Sequence, residues 1–382
     1  MKRFGFYEFF AGGGMARAGL GPDWQCLFAN DFDPKKAAAY CANWGDQEMW
    51  CGDVGAVEAK RLPGDADLVW ASFPCQDLSL AGNGAGLNGA RSGAFWPFWN
   101  VVRGLIQDGR KPKAIVLENV CGLLTSHGGA DFAALCDTVG SAGYWIGAIV
   151  ADAKDFVPHS RPRLFLIALD DRRSIPGRIQ SPYAVDHWHP NRLREAQANL
   201  SEPSRARWLW FTPSVPAARN TALSDIIEAE PGDVRWHTEA ETARLLAMMS
   251  TVNRAKVDLV VTNKSPAVGA IYKRTRWECG HKIQRAEVRF DLAGCLRTPG
   301  GGSSRQSILV AIDGKIMTRL LSARETARLM GLDDSYVLPE RYNEAYHLTG
   351  DGVAVPVVRW LAHQIIEPAM ENKPELLMVG HG

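Results

Sequence analysis

The chain lacks any long apolar run. None of its uninterrupted apolar stretches, across 382 residues, comes near the length that crosses a bilayer, which takes about 18 residues. The opening MKRFGFYEFF starts basic, but Glu8 and then glycines break its apolar character. It therefore reads as a first β-strand and not as a signal peptide. Paired cysteines are also missing. The eight cysteines, at 26, 41, 51, 75, 121, 136, 279 and 295, form no C-x-x-C and no zinc-like spacing. Such scattered thiols suit a reducing cytoplasm, most of them serving as small core hydrophobes. The HWH at 187–189 is too small a donor set for a metal, so none is expected. Charge of one sign is missing too: 43 Lys and Arg against 42 Asp and Glu give a net +1. Only a local excess could then attract a polyanion. There is no internal repeat and no low-complexity segment.

What is present is a chain that is 46% hydrophobic and 22% charged, enough for a sizeable core. Its length allows two or three domains, or one large domain with an insertion. Up to about residue 170, seven apolar runs read as buried strands: FGFYEFF, QCLFAN, EMWCGD, ADLVWASF, KAIVLENV, YWIGAIVAD and LFLIALD. Amphipathic segments such as PKKAAAYCANW and FWPFWNVVRGLIQD lie between several of them. Strand–helix alternation predicts an α/β fold with a doubly wound, mostly parallel sheet. Ligands of such sheets bind beyond the carboxyl ends of the strands. After residue 172 the alternation fails, and helical patterns resume only from 317. The predicted division is 1–172 plus 317–368 as one domain, 173–316 as an inserted smaller domain, and 369–382 as a tail.

Four stretches carry candidate chemistry. FFAGGGMARAGLG at 9–21 places glycines directly after a strand, where a backbone without Cβ admits a ligand closely. Asp31 closes the next strand about twenty residues on, where an acid can bind ribose hydroxyls, and Asp53 closes the third. Together they describe a nucleoside pocket, yet GGGMARAG does not fit the dinucleotide pattern G-x-G-x-x-G. S-adenosylmethionine, which has no phosphate, needs glycines for approach but no phosphate cradle. In FPCQ, Pro74 restricts its own φ and the shape of Phe73, holding Cys75 at the mouth of the sheet as a potential nucleophile. VLENV puts Glu118 at a strand end, where its carboxyl could bond the edge of a base. Arg161 and Arg163 in HSRPRLFLIA are two apart, so both are expected on one face of the entering strand.

In chain order these segments resemble the carbon-5 cytosine-specific DNA methyltransferases of prokaryotic type. The resemblance runs through FFAGGG, ANDFD, GDV, FPCQDLSLAG, RSGAFW, ENV and DAKDFVPHSRPRLFLIA, then LLSARETARLMGLDDSY and AYHLTGDGVAVPVV. It covers residues 4–170 and 317–366. Glu8, His159 and Asp351 stand where the family usually has Asp, Gln and Asn.

The resemblance implies a methyltransferase fold that takes S-adenosylmethionine, with a target recognition domain at 173–316. Cys75 would attack carbon 6 of a flipped-out cytosine, Glu118 would contact its ring nitrogen 3 and amine, and Arg163 would hold its carbonyl with Arg161 in support. Asn119 would fix the turn. Phe10, Gly12, Gly14, Asp31, Phe32, Asp53, Val54, Pro74, Phe95, Asp351 and Gly352 would form the cofactor pocket. Between 254 and 289 nine Lys and Arg face three acids. Lys273, Arg274 and Arg276 are therefore expected on phosphates, with Arg305 and Gln306 offered to base edges or phosphates. The implied partner is double-stranded DNA bound by a monomer, in the cytoplasm and on the nucleoid, with a separate restriction endonuclease as a possible companion. An RNA cytosine methyltransferase and a nicotinamide-dependent oxidoreductase remain the alternatives.

Overall fold

The computed structural model describes residues 4–73, 94–264, 266–278, 280–297 and 305–371. Chain contacts divide it into two units: Met1–Ala151, Pro162–Val215 and Val357–Gly382 form the first, Asp152–Arg161 and Pro216–Pro356 the second. These boundaries differ from 172/173 and 316/317. Residues 173–215 pack with the first unit, where the Trp188 ring lies tilted against Trp360 at 4.6 Å and donates its N–H to the Pro213 carbonyl.

In the first unit all seven apolar runs form strands: β1 (Phe4–Phe9), β2 (Trp24–Asp31), β3 (Met49–Cys51), β4 (Leu68–Ala71), β5 (Ala114–Val120), β6 (Tyr144–Asp152) and β7 (Pro162–Asp170). They make one sheet in the order β3-β2-β1-β4-β5-β7-β6. Parallel pairing runs from β3 to β5, and β7 lies antiparallel against β5. From β1 the chain builds outward to β2 and β3, then returns to the other side of β1 with β4. The sheet's switch point therefore lies between the carboxyl ends of β1 and β4, the place where such sheets bind ligands.

Helix α1 (Met15–Leu20) follows β1 directly. Helix α2 (Pro34–Trp44) starts where the Asp33 carboxylate accepts the Lys35 N–H at 2.8 Å and Pro34 presets the first turn. Helix α3 (Phe95–Gln107) buries Phe95, Phe98, Trp99, Val101, Val102 and Leu105, one apolar stripe at helical spacing. Each large side chain buried this way contributes about 1.5–3 kcal/mol, so α3 anchors firmly beneath the switch point. Helix α4 (Ala130–Ser141) joins β5 to β6. Helices α5 (Asn191–Ala198) and α6 (Glu202–Ala206), with the short strands β8 (Gln180–Ser181) and β9 (Trp210–Phe211), complete the 173–215 segment.

The second unit contains α7 (Glu239–Ala247) and α8 (Thr251–Asn263) against a four-stranded antiparallel sheet. Its strands are β10 (Ala267–Glu278), β11 (His281–Arg289), β12 (Ser307–Ile312) and β13 (Lys315–Leu320), ordered β11-β10-β12-β13. Residues 317–320, expected to begin a helical region, are thus strand; helix α9 (Ala323–Leu329) starts only after Ser322 caps it. At that cap the Arg319 guanidinium donates to Glu325 at 2.6 and 2.8 Å, both side chains fully buried. Helix α10 (Tyr342–Asp351) follows. The chain then re-enters the first unit through α11 (Val355–Leu361), a π turn at Ala362–Ile366 and α12 (Glu367–Glu371). There Trp24 donates to Glu367 at 2.9 Å. Among the described residues no helix is long and apolar enough to cross a membrane.

Candidate active site

The loop after β1 is shaped by three left-handed residues at alternate positions: Phe10 (φ 57°), Gly12 (φ 56°) and Gly14 (φ 77°). For a phenylalanine that conformation is costly, and such strain concentrates at functional sites. Asp31 holds the loop. Its two carboxylate oxygens accept the Gly12 N–H at 2.7 Å and the Asp33 N–H at 2.9 Å. Burial raises its carboxyl pKa, and those two amides oppose the rise. The Trp44 indole donates to the Gly13 carbonyl at 3.1 Å, pinning the loop to α2.

The two glycines are constrained differently. A Cβ on Gly14 would run into the Trp44 ring and lie 2.9 Å from Tyr40, whereas one on Gly12 would meet nothing within 4 Å among the described residues. Gly14 is thus required by packing, and Gly12 borders open space. Phe32 stands 73% exposed just past β2. Asp53 caps a short turn by accepting the Gly55 N–H at 2.8 Å, and Val54 beneath it is buried. Phe95 has no exposed surface and packs on Phe73 and Trp99.

Below this loop lies a residue that the sequence patterns did not single out as a site. Glu8, 1% exposed, has its carboxyl pushed up to about 8 by burial, against the pull of the Arg17 guanidinium and the Ala16 and Arg17 amides. Its Oε2 has no hydrogen-bond partner among the described residues. Only tertiary burial makes this residue unusual.

At the ends of β4 and β5, Asn119 donates to the Phe73 carbonyl at 3.0 Å and accepts the Val120 N–H at 2.8 Å. It thereby fixes the carbonyl that leads into Pro74 and Cys75, which lie outside the described residues. Glu118 pairs with Arg163, Nε to Oε1 3.1 Å. The β5–β7 register explains the pair: Glu118 faces Phe165 and Val120 faces Arg163, so the two are diagonal neighbours on one face.

Arg161 does not join them in this pairing, contrary to the expectation of a shared face. It precedes β7, so the strand's alternation does not bind it. Within the second unit its guanidinium donates to three carbonyls, Leu296 at 3.0 Å, Gly350 at 2.8 Å and Gly352 at 2.6 Å. His159 works beside it: Nε2 accepts the Leu296 N–H at 3.0 Å, and Nδ1 lies 3.1 Å from the Leu329 carbonyl. A glutamine could supply the same acceptor and donor. Asp351 and Gly352 belong to this second unit.

The basic residues separate as well. Register puts Arg274 opposite Arg285 and Lys273 opposite Ala286, so Lys273 and Arg274 point to opposite faces of the sheet. Arg276 lies opposite Ile283; its side chain is outside the described ones. Arg305 lies over the Tyr342 ring at 5.3 Å and donates to Asn343. Gln306 is corrected by the structure. It is 2% exposed, accepting the Gly294 N–H at 2.9 Å and donating to the Gly294 carbonyl at 2.6 Å, so its amide serves the fold and is not offered outward.

Comparison with known proteins bears on this arrangement. The family model for C-5 cytosine-specific DNA methylases matches residues 4–367. The Type II methyltransferase M.HhaI of Haemophilus parahaemolyticus is 26% identical over 362 residues, spanning 94% of this chain and 93% of that protein. The Type II methyltransferase M.NlaX of Neisseria lactamica is 26% identical over 366 residues, spanning 95% and 96%. Among solved structures, the S. pombe Dnmt2 methyltransferase superposes with a TM-score of 0.59 at 18% identity, covering 96% of this chain and 99% of that one. A Spodoptera frugiperda DNMT2 mutant gives 0.61 at 16%, covering 96% and 100%. These two share the fold. With a match extending across nearly its whole length, the chain belongs to the C-5 cytosine-specific DNA methylase family and is a cytosine-5 methyltransferase.

Proposed function

We propose that the protein methylates carbon 5 of a flipped-out cytosine in a specific duplex DNA sequence, through a covalent adduct on Cys75 and with S-adenosylmethionine as donor. The Glu118–Arg163 pair carries this reading: at 3.1 Å it sets a carboxyl and a guanidinium side by side where β5 ends. Glu118 would bond ring nitrogen 3 and the exocyclic amine, and Arg163 the cytosine carbonyl, both favouring charge that develops as the Cys75 thiolate adds to carbon 6. That addition forms the sulfur–carbon bond and makes carbon 5 nucleophilic. S-adenosylmethionine, when bound, supplies the methyl group. Loss of the carbon-5 proton to a base then expels Cys75 and restores the ring. Carbon 6 is closed off in a stacked duplex, which requires the base to leave the helix.

The donor fits the residues present. Asp31 has lone pairs left for ribose hydroxyls, Phe32 offers an exposed ring for the adenine, and Gly12 leaves room for close approach. Phe10, Asp53 and Val54 would line the same pocket, with Gly14 shaping it. Residues 173–316 would choose the target, and the chain would work as a monomeric modification enzyme on the nucleoid, alongside a restriction endonuclease of the same site. Duplexes carrying 5-fluorocytosine at the target should trap a denaturation-resistant adduct, because fluorine cannot leave as a proton does. Cys75→Ala should form no adduct while still binding S-adenosylmethionine in a calorimetric titration. Turnover by Cys75→Ala would overturn the covalent route, and methylation of RNA with none on duplex DNA would reverse the substrate.

A further inference from the structure

Two of the described cysteines flank the nucleoside pocket on neighbouring elements. Cys41 lies near the end of α2, and Cys51 ends β3, two residues before Asp53. Unlike the buried Cys26 and Cys136, Cys41 is half-buried and Cys51 exposed, so filling the core does not account for them.

Register places both on one side of the large sheet. Phe9 turns to α3, its ring 5.1 Å from Phe98, so Phe6 and Glu8 face the opposite side. Phe6 pairs with Cys26, whose Sγ lies 3.4 Å from the Tyr40 hydroxyl, which makes this the side that α2 covers. Glu8 pairs with Ala29, Ala29 with Met49 and Asp31 with Cys51, carrying the same side across to Cys51. On α2, Cys41 falls in one helical stripe with Ala37, Tyr40 and Trp44; Ala37 is buried, Tyr40 meets Cys26 and Trp44 meets Gly13. Their heights match as well. Cys41 lies about 4.5 Å back along the helix from Trp44, and Cys51 about 6.6 Å along the strand from Met49. Residues 45–48 turn the chain from α2 into β3, and the two elements pack together. Burial raises the Cys41 thiol pKa, and the charges of Asp46 and Cys51 add to the rise, so Cys51 is within electrostatic reach.

We propose that Cys41 and Cys51 form a reversible disulfide, through which low-molecular-weight disulfides control the cofactor pocket. The exposed Cys51, as thiolate, attacks such a disulfide, releases one half as a thiol and keeps the other in a mixed disulfide. Cys41, as thiolate, then attacks the Cys51 sulfur and releases the second half. The protein thiols lose two electrons and two protons, which the small disulfide takes up as two thiols.

A disulfide holds its Cα atoms about 5.5–6 Å apart. Of the two elements β3 gives way, being three residues long and the edge of the sheet, whereas Trp44 pins α2 to the Gly13 carbonyl. Drawing Cys51 toward α2 loads the bonds on either side of it. Asn30 donates to the Trp50 and Gly52 carbonyls at 3.1 and 2.9 Å, and the Gly52 N–H donates to the Asp31 carbonyl at 2.9 Å. Asp53 follows directly, so oxidation disfavours the donor; this effect rests on reading the pocket as the S-adenosylmethionine site.

The test treats full-length wild type and the Cys41→Ser/Cys51→Ser double variant with oxidised glutathione. Remaining thiols are alkylated, and tryptic peptide 37–60, which holds both cysteines, is weighed by mass spectrometry. From wild type it should escape alkylation and weigh two hydrogens less than the reduced peptide. Wild-type affinity for S-adenosylmethionine, by calorimetry, should fall at least about fivefold on oxidation, the scale of one lost hydrogen bond, and recover with dithiothreitol. The double variant should bind the cofactor equally before and after treatment. A wild-type peptide alkylated at both cysteines, or bridged to another cysteine, would overturn the disulfide. A disulfide that leaves cofactor affinity unchanged would overturn its control of the pocket. Reduced wild type without affinity for S-adenosylmethionine would overturn the cofactor reading instead, while the peptide mass still judges the disulfide.

Discussion

Glu8 shows how one buried carboxyl can set the behaviour of a site. Burial lifts its pKa from 4.5 to about 8, so the folded chain holds a proton that the unfolded chain has released. Between those two values the folded state binds more protons, and stability must fall as pH rises, at most by about 1.4 kcal/mol per pH unit. The contribution is fully present below about 4.5 and gone above about 8. Glu8→Gln keeps the shape without the ionisation. Its thermal midpoint should therefore decline less than that of wild type between pH 6 and 8.5 by differential scanning calorimetry. Equal declines in the two proteins would remove Glu8 as the cause. His159 makes the complementary point. Bonded on both nitrogens inside the second unit, it supports the Leu296 and Leu329 backbone, which a side chain of similar reach and the same polarity could also do.

Among the elements, the β1–α1 loop separates folding from binding within three residues. Gly14→Ala would force a left-handed alanine into the Trp44 and Tyr40 rings, so it should lose stability beyond the roughly 1–2 kcal/mol of backbone strain alone. Gly12→Ala meets only the strain among the described residues, none of which lies within 4 Å of its Cβ. Chemical denaturation should accordingly rank Gly14→Ala as the less stable, while titration should show folded Gly12→Ala binding S-adenosylmethionine more weakly. Reversed ranks would mean that the open space beside Gly12 has no ligand role. All seven strands of the large sheet were legible, the central ones because both their faces are buried, giving apolar runs such as ADLVW and LFLIALD, while the edge strand β3 is only partly buried. The position of β7 between β5 and β6 was not, as no run of side chains specifies which edge it joins. Strand β10 escaped detection for a different reason. Only Ala267–Ile271 lies in the body of its sheet, so the apolar pattern fades halfway along the strand. Glu118 and Arg163 were each named from the family motifs, but their pairing is set by the β5–β7 register, which no local pattern shows. The tasks of Arg161 and Gln306 depend on carbonyls and amides far away in sequence, which leave no local mark.

For the whole molecule, a net charge of +1 is the sum of unequal parts. Opposite charges are tied up in pairs such as Lys111 with Asp170 and Arg328 with Asp334, whereas residues 272–287, the arm in which β10 and β11 run on past β12, carry five Lys and Arg against two acids, one of which, Glu287, lies 3.7 Å from Arg274. The field that a polyanion meets is therefore set by the arm more than by the total. This is why net charge alone was uninformative about a partner.

The arm has one more property, which concerns other copies of the same chain. β11 ends its sheet, and among the described residues no strand pairs along its outer side. Near the base that side is closed, because the Ala286 N–H donates to Met248 and the Val288 N–H to Asn253. Farther out, the backbone of residues 281–285 offers a template for strand addition. Lys282 and Arg285 lie along that stretch, and two copies approaching edge to edge would bring these cations together. Replacing both with serine should thus do more than weaken nucleic-acid binding. Sedimentation velocity should show the doubly substituted protein self-associating at concentrations where wild type does not. Identical sedimentation would show that the edge needs no such guard.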